Sequence, residues 1–120
     1  MSVPVPSRLV LVSDLEQCAP GAKVRFLACV DEYRIKSAIL RLKHNHTSTG
    51  PSIVVNVDVE HVLERLKPHE LDVGTWLNII GLVDRRKEKG VFVQAVAVWD
   101  AGNIDLDAYE KAVEMRKETS

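Results

Sequence analysis

Trp76-Leu77-Asn78-Ile79-Ile80-Gly81-Leu82-Val83, residues 76–83, is the stretch that decides the fold. It is apolar on both faces apart from Asn78, as expected of a strand that closes a barrel and is covered on both sides. Gly81 inside it predicts a bulge or sharp bend, which small barrels need at their corners. Val73 and Gly74 open the segment. The charged linker Asp84 to Gly90 closes it, and Val91 to Trp99 then alternates, with Val91, Val93, Ala95, Ala97 and Trp99 expected on one side. Small Ala95 and Ala97 would suit a tapering interior.

Working back toward the N-terminus, Asp58 has the chemistry of a cap for a helix through Leu66. Val59, Val62, Leu63 and Leu66 form its apolar side and Pro68 stops it. Ile53 to Val57 is a β-branched strand, and His44 to Pro51 is a polar loop. Ala38, Leu40 and Leu42 alternate with Ile39, Arg41 and Lys43. The short polar stretch Asp31 to Lys36 makes this strand the hairpin partner of Lys23 to Val30. There Val24, Phe26, Ala28 and Val30 take one face and Lys23, Arg25, Leu27 and Cys29 the other. Before it, Leu9 to Val12 is apolar, Ser13 and Glu16 have capping-box spacing for one helical turn, and Pro20-Gly21 is a turn. Met1 to Ser7, with Pro4 and Pro6, reads as a flexible arm.

Beyond the last strand, Ala101-Gly102-Asn103 is a turn and residues 104–118 form an amphipathic helix. Asp105 serves as its cap, Asp107 sits in its first turn, and Lys111, Arg116 and Lys117 follow later in the sense the helix dipole favours. Leu106, Tyr109, Val113 and the stem of Arg116 fall at helical spacing, with Ala112 beside them. The expected fold is therefore mainly β with helices: a five-stranded OB-type barrel, a helix between the third and fourth strands, and a surplus C-terminal helix. One domain spans 1–120, comprising the arm (1–7), the barrel (8–101) and the helix (104–118). The helix stripe can pack on the barrel's own outside or against another chain. Because the barrel already has a plugging helix, we favour the second.

A net charge of -1 with 28% charged residues steers the chain toward no class of polyanion or membrane, so any such binding must use a local patch. Cys18 and Cys29 lie far apart with no CxxC, which fits a reducing compartment better than a disulfide or zinc site. No secretory leader or membrane-length apolar run is visible, and we expect a soluble intracellular protein. His44 and His46 form an HxH, and His61 and His69 follow, but no cysteine or carboxylate joins them at ligand spacing, so loop histidines are the expectation. GxSxG, Walker and HExxH patterns are all missing, and Asp105 with Asp107 is explained by helix capping; no enzyme, cofactor, metal or small-molecule substrate is expected.

The basic residues offer more. Arg34 and Lys36 lie in the loop between the first two long strands, and Arg85, Arg86, Lys87 and Lys89 in the loop between the last two. In an OB-fold these loops flank the oligonucleotide groove, and Lys23, Arg25, Arg41 and Lys43 would extend that surface. The alternative is that charged hairpin tips only keep the barrel soluble. Tyr33 and Phe92 are the aromatics placed to stack on bases, few for a strong single-strand binder.

The lead-in Leu9 to Gly21, Lys23 to Tyr33, Val73-Gly74-Thr75-Trp76-Leu77-Asn78-Ile79-Ile80-Gly81, Gly90-Val91-Phe92-Val93-Gln94-Ala95 and the closing Gly102 to Arg116 together resemble the Ten subunit of the CST telomere-capping complex. The resemblance spans about Ser7 to Lys117 and is diffuse, a pattern with no invariant signature. Ala28-Cys29 departs from it where a glycine bend is expected. The resemblance implies a non-enzymatic OB-fold subunit at telomeres in the nucleus, paired with the Stn subunit and joined by a larger third subunit. It implies single-stranded telomeric DNA binding mainly through the complex, with roles in limiting telomerase and assisting fill-in synthesis. Carried onto this chain, the partner-binding residues are Leu106, Tyr109, Ala112, Val113 and Arg116. A freestanding single-strand binder, and an OB scaffold of another repair complex, remain alternatives.

Overall fold

The computed structural model describes residues 7–44, 53–102 and 106–119, and within the last of these the side chains of 108–115. The arm residues before Ser7, His46 with most of its loop, the Asp105 cap, and the side chains of Leu106, Asp107, Arg116 and Lys117 lie outside the described residues. Among the described residues there are six strands, β1 (Arg8–Leu9), β2 (Lys23–Arg34), β3 (Ile39–His44), β4 (Ile53–Asp58), β5 (Trp76–Asp84) and β6 (Val91–Asp100), followed by helix α1 (Leu106–Thr119). Strand order is β1-β2-β3-β4-β6-β5, and β2 also pairs with β5. That last pairing closes five strands into a barrel and leaves β1 as a two-residue parallel addition to β2. The expected five-stranded OB-type barrel is the observed fold.

Side-chain alternation builds the core. Val24, Phe26, Ala28 and Val30 of β2 meet Leu40 and Leu42 of β3, Val55 and Val57 of β4, Leu77 and Ile79 of β5, and Val93 and Ala95 of β6. Nearly all of these are fully buried, and each large aliphatic or aromatic side chain contributes about 1.5–3 kcal/mol on leaving water.

Two bulges shape the barrel. In β2 the pairing with β3 slips between Val30 and Glu32, so Asp31 is the extra residue. The curvature expected of a glycine at Ala28-Cys29 is supplied here by the bulge. In β6 the pairing with β5 slips opposite Ile80 and Gly81, with Val96 unmatched. The bend anticipated at Gly81 is present, and the site has no room for a side chain: a Cβ there would lie 2.5 Å from the Gln94 carbonyl oxygen.

The connection between β4 and β5 differs from expectation. No helix runs from Asp58 to Leu66; two short 3-10 turns occur, Leu63–Arg65 and Pro68–Leu71. Asp58 ends β4, and its carboxylate accepts from the Glu60 amide two residues on at 3.0 Å, a local turn that competes with helix capping. Pro68 begins the second turn, where its missing N–H costs nothing. β-branched Val59 and Val62 are buried here and plug the barrel. A similar shift occurs at the N-terminus, where a 3-10 turn covers Val12–Gln17. At its start the Asp14 carboxylate accepts from the N–H of the cap residue Leu11 at 2.9 Å, in place of the expected Ser13 and Glu16 box. Pro68, Glu70 and Lys67 repeat the device, with Glu70 accepting from the Lys67 amide at 2.8 Å.

Candidate functional site

Helix α1 docks on the outside of the barrel. Val113 is fully buried within this chain, and Tyr109 and Glu110 are half-buried. Leu27 faces outward from β2 by alternation yet is only 1% exposed. The Tyr109 hydroxyl reaches the vicinity of the Leu27 carbonyl without a well-aligned hydrogen bond, and burial raises its pKa, partly offset by that carbonyl and by Arg25. Beneath the helix, the buried His44 ring at the end of β3 has Nδ1 3.1 Å from the Leu27 carbonyl oxygen and Nε2 3.3 Å from a Glu110 carboxylate oxygen. Its ring also meets Trp76 edge-on at 5.4 Å and Tyr109 at 6.5 Å. His44 is thus a buried bridge between barrel and helix and not a loop residue. Strand alternation alone hid this, because the covering helix comes from the far end of the chain.

The expected partner stripe is therefore divided. Tyr109 and Val113 face the chain's own barrel, with Val113 buried there and Tyr109 half-buried. Ala112 is exposed, and Leu106 and Arg116 are outside the described side chains. A second stripe faces away, where Ala112, already expected at a partner, is joined by Ala108 and Met115, which the sequence reading missed, with Met115 66% exposed. Its signal was the Ala-x3-Ala-x2-Met spacing, which places small and flexible apolar groups on one line.

The outer wall of β5 and β6 adds to this apolar surface. The Val96 bulge shifts the alternation by one, turning Val98 inward and Ala97 and Trp99 outward, contrary to the single face expected for 91–99. Trp99, Leu82 and Val96 are each well exposed. Arg25 leans its guanidinium over the Trp99 ring at 5.5 Å and is near enough to Tyr109 to act on its phenol, so it links this wall to α1. It does not join the basic loops.

Most of the other expected nucleic-acid contacts are already engaged. Arg34 pairs with Glu32 at 3.6 Å, and Arg41 and Lys43 both pair with Asp31 at 3.7 and 3.3 Å. Arg85 donates to the Glu16 and Cys18 carbonyls at 3.1 and 2.9 Å, pinning the N-terminal turn. Arg86 is held by Asp58 at 2.8 Å and Asp84 at 2.9 Å. Lys36, Lys87 and Lys89 are exposed and in no ion pair among the described residues. Tyr33 is turned inward against the core by the Asp31 bulge and is not placed to stack on bases. Phe92 does lie on the outer face, almost buried under the Arg86 guanidinium at 5.0 Å. Around it a cavity of about 250 Å³ is lined by Arg34, Ser37, Ile39, Asn56, Arg86, Glu88 and Phe92.

Of the remaining candidates, His69 meets Asp100 at 3.2 Å on the surface, His61 is exposed, and Cys18 and Cys29 are free thiols. Among the described residues, no helix is long and apolar enough to cross a membrane.

Comparison with known proteins agrees with this architecture. Residues 1–114 match the Ten1 family, described as telomere capping, CST complex subunit. Protein ten1 of Schizosaccharomyces pombe is 33% identical over 113 residues, covering 92% of this chain and 94% of that protein. A chain in the crystal structure of the S. pombe Stn1-ten1 complex superposes with a TM-score of 0.74 at 28% identity, covering 97% of this chain and 96% of its own. The hypothetical protein ygiW of E. coli, with a TM-score of 0.56 and 17% identity over 78% of this chain and 89% of its own, shares the fold alone. A closed OB-type barrel with a docked C-terminal helix, matched along almost its whole length, makes this chain a member of the Ten1 family of telomere-capping CST complex subunits.

Proposed function

We propose that this chain is the small, non-enzymatic subunit of a nuclear telomere-capping complex, pairing with a Stn-type OB-fold subunit and, through it, with a larger third subunit. In that assembly it supports single-stranded telomeric DNA binding, end protection and length control. The observation that carries the pairing is the likeness, over 97% of the chain, to a structure of the S. pombe Stn1-ten1 complex, together with an outward apolar stripe on α1 that the barrel leaves uncovered. Ala108 and Ala112 allow a partner helix to approach closely, and Met115 adapts to its surface. Trp99, Val96 and Leu82 supply the exposed wall that such a partner would also cover.

The test is co-expression of the full chain with a Stn-type subunit. Ala112→Arg combined with Met115→Arg should abolish co-purification while leaving the circular dichroism spectrum and melting temperature of the isolated chain unchanged. Normal pairing by that double variant overturns the assignment of the helix stripe. A freestanding single-strand binder is less well supported, because most of the candidate cations are already paired within the chain.

A further inference from the structure

The contact between the barrel and α1 is built around a histidine whose proton count the geometry fixes. The His44 side chain is fully buried, and each ring nitrogen faces an oxygen. Nδ1 lies 3.1 Å from the Leu27 carbonyl oxygen and Nε2 lies 3.3 Å from a Glu110 carboxylate oxygen. A carbonyl oxygen only accepts, so Nδ1 must carry a hydrogen. In a neutral imidazole the other nitrogen is then a bare acceptor, and it would confront a carboxylate, which also only accepts. Two lone pairs at that distance, away from water, repel. A proton between them turns the clash into a charge-assisted hydrogen bond. That proton belongs on the ring, because in water a carboxyl is the stronger acid about a hundredfold. The Glu110 side chain, 20% exposed, also keeps part of the hydration that favours its charged form.

Other titratable and charged groups on the packed elements are neutral, occupied or turned away. β5 brings Trp76, edge-on at 5.4 Å, and α1 brings Tyr109 at 6.5 Å, whose phenol burial keeps neutral. On β2, Arg25 acts on that phenol, and Cys29 is a thiol that burial holds protonated. On β3, Lys43 turns to Asp31 at 3.3 Å, and on α1 Lys111 and Glu114 are exposed.

The pair also reads the rotation of α1. An apolar contact such as that of Val113 tolerates a helix that slides or turns, whereas a buried charge is costly unless its partner meets it. Glu110 reaches His44 when the face bearing Tyr109 and Val113 is inward, and the line of Ala108, Ala112 and Met115 is then outward. We propose that His44 and Glu110 form a one-proton latch, imidazolium against carboxylate, that sets the rotation of α1 on the barrel and makes its docking depend on pH. When the helix lifts away, water reaches the ring and it returns to the ordinary imidazole titration at about 6.5. Docking above that pH therefore takes up a proton. The latch contributes fully at about pH 6 and is lost as pH rises through the titration of the docked pair, by at most about tenfold in the docking equilibrium per pH unit. The consequence for partner capture, a helix best presented in mild acid, rests on reading the outward stripe as a partner surface. The latch itself does not.

The test uses the full chain. Nitrogen NMR of the His44 ring at about pH 7 should show both Nδ1 and Nε2 protonated, and a bare Nε2 there overturns the latch. Hydrogen exchange, corrected for intrinsic amide rates, then follows α1 from about pH 6 to 8.5, with β5 amides as the internal reference. The Tyr109 phenol and Cys29 thiol titrate above this range. Protection of α1 relative to β5 should fall by at least about fivefold across it. Glu110→Gln places an amide opposite Nε2, and its N–H can donate to a neutral ring with no proton taken up. In that variant α1 protection should stay level. Level protection in the parent chain, or an equal fall in the variant, overturns the latch. Pull-down of a Stn-type subunit over the same range reads the consequence: unchanged capture while α1 loosens overturns the partner surface on α1 and leaves the latch standing.

Discussion

Tyr109 shows how much one side chain can tie together. Its hydroxyl lies near the Leu27 carbonyl, its ring approaches His44, and burial raises its phenol above the ordinary value of 10.0. The fold therefore favours the neutral phenol. Stability contributed by that preference is complete below pH 10 and is lost as pH rises beyond it, because the unfolded chain gives up the proton first. The half-buried Cys29 thiol, also raised by burial and by Asp31 against the opposing pull of Lys43, acts in the same direction. Tyr109→Phe should flatten the alkaline fall in thermal stability. At pH 7 it should change stability by no more than about 1 kcal/mol, since the hydroxyl gives up no well-aligned hydrogen bond. Melting curves from pH 7 to 11 for both proteins check this, and an unchanged alkaline slope contradicts it.

At the scale of elements, the two bulges decide more than the strands do. Strand positions were legible because apolar alternation survives from Val24 to Val30 and from Leu40 to Leu42, where pleating alone sets the faces. The faces of Tyr33, Ala97 and Trp99 were not legible, since one unmatched residue in each strand reverses every side chain that follows. Gly81 did announce its bulge, because only a residue without a Cβ fits against the Gln94 carbonyl. Gly81→Ala should cost about 1–3 kcal/mol through forced backbone displacement, read as a lower melting temperature with the strand signature retained. An unaltered melting temperature would show that the β5 and β6 backbones yield freely. The expected helix between β4 and β5 failed for a related reason: an Asp58 carboxylate that can bond its own turn does not commit to a helix.

For the molecule as a whole, the charge census predicts how weakly it should hold nucleic acid alone. Ten candidate basic residues would give a steep salt dependence if all met phosphates. Six are engaged within the chain; of the four others, Lys23 lies on β2 away from the loops, and Lys36, Lys87 and Lys89 remain beside the groove. Three phosphate contacts on a single strand correspond to a slope of about -2 in log affinity against log salt. Titrations of the isolated chain with an oligothymidylate between low and moderate salt measure this directly, and a slope near -6 would mean that the internal ion pairs open on binding. Composition and periodicity by themselves determined the barrel and the existence of its terminal helix, because these depend on which residues must leave water. Only the tertiary structure decided which side of α1 meets the barrel, that His44 lies buried beneath it, and that Arg86 is a held plane more than a free charge. Each of those depends on partners distant in sequence, brought into contact only when the barrel closes.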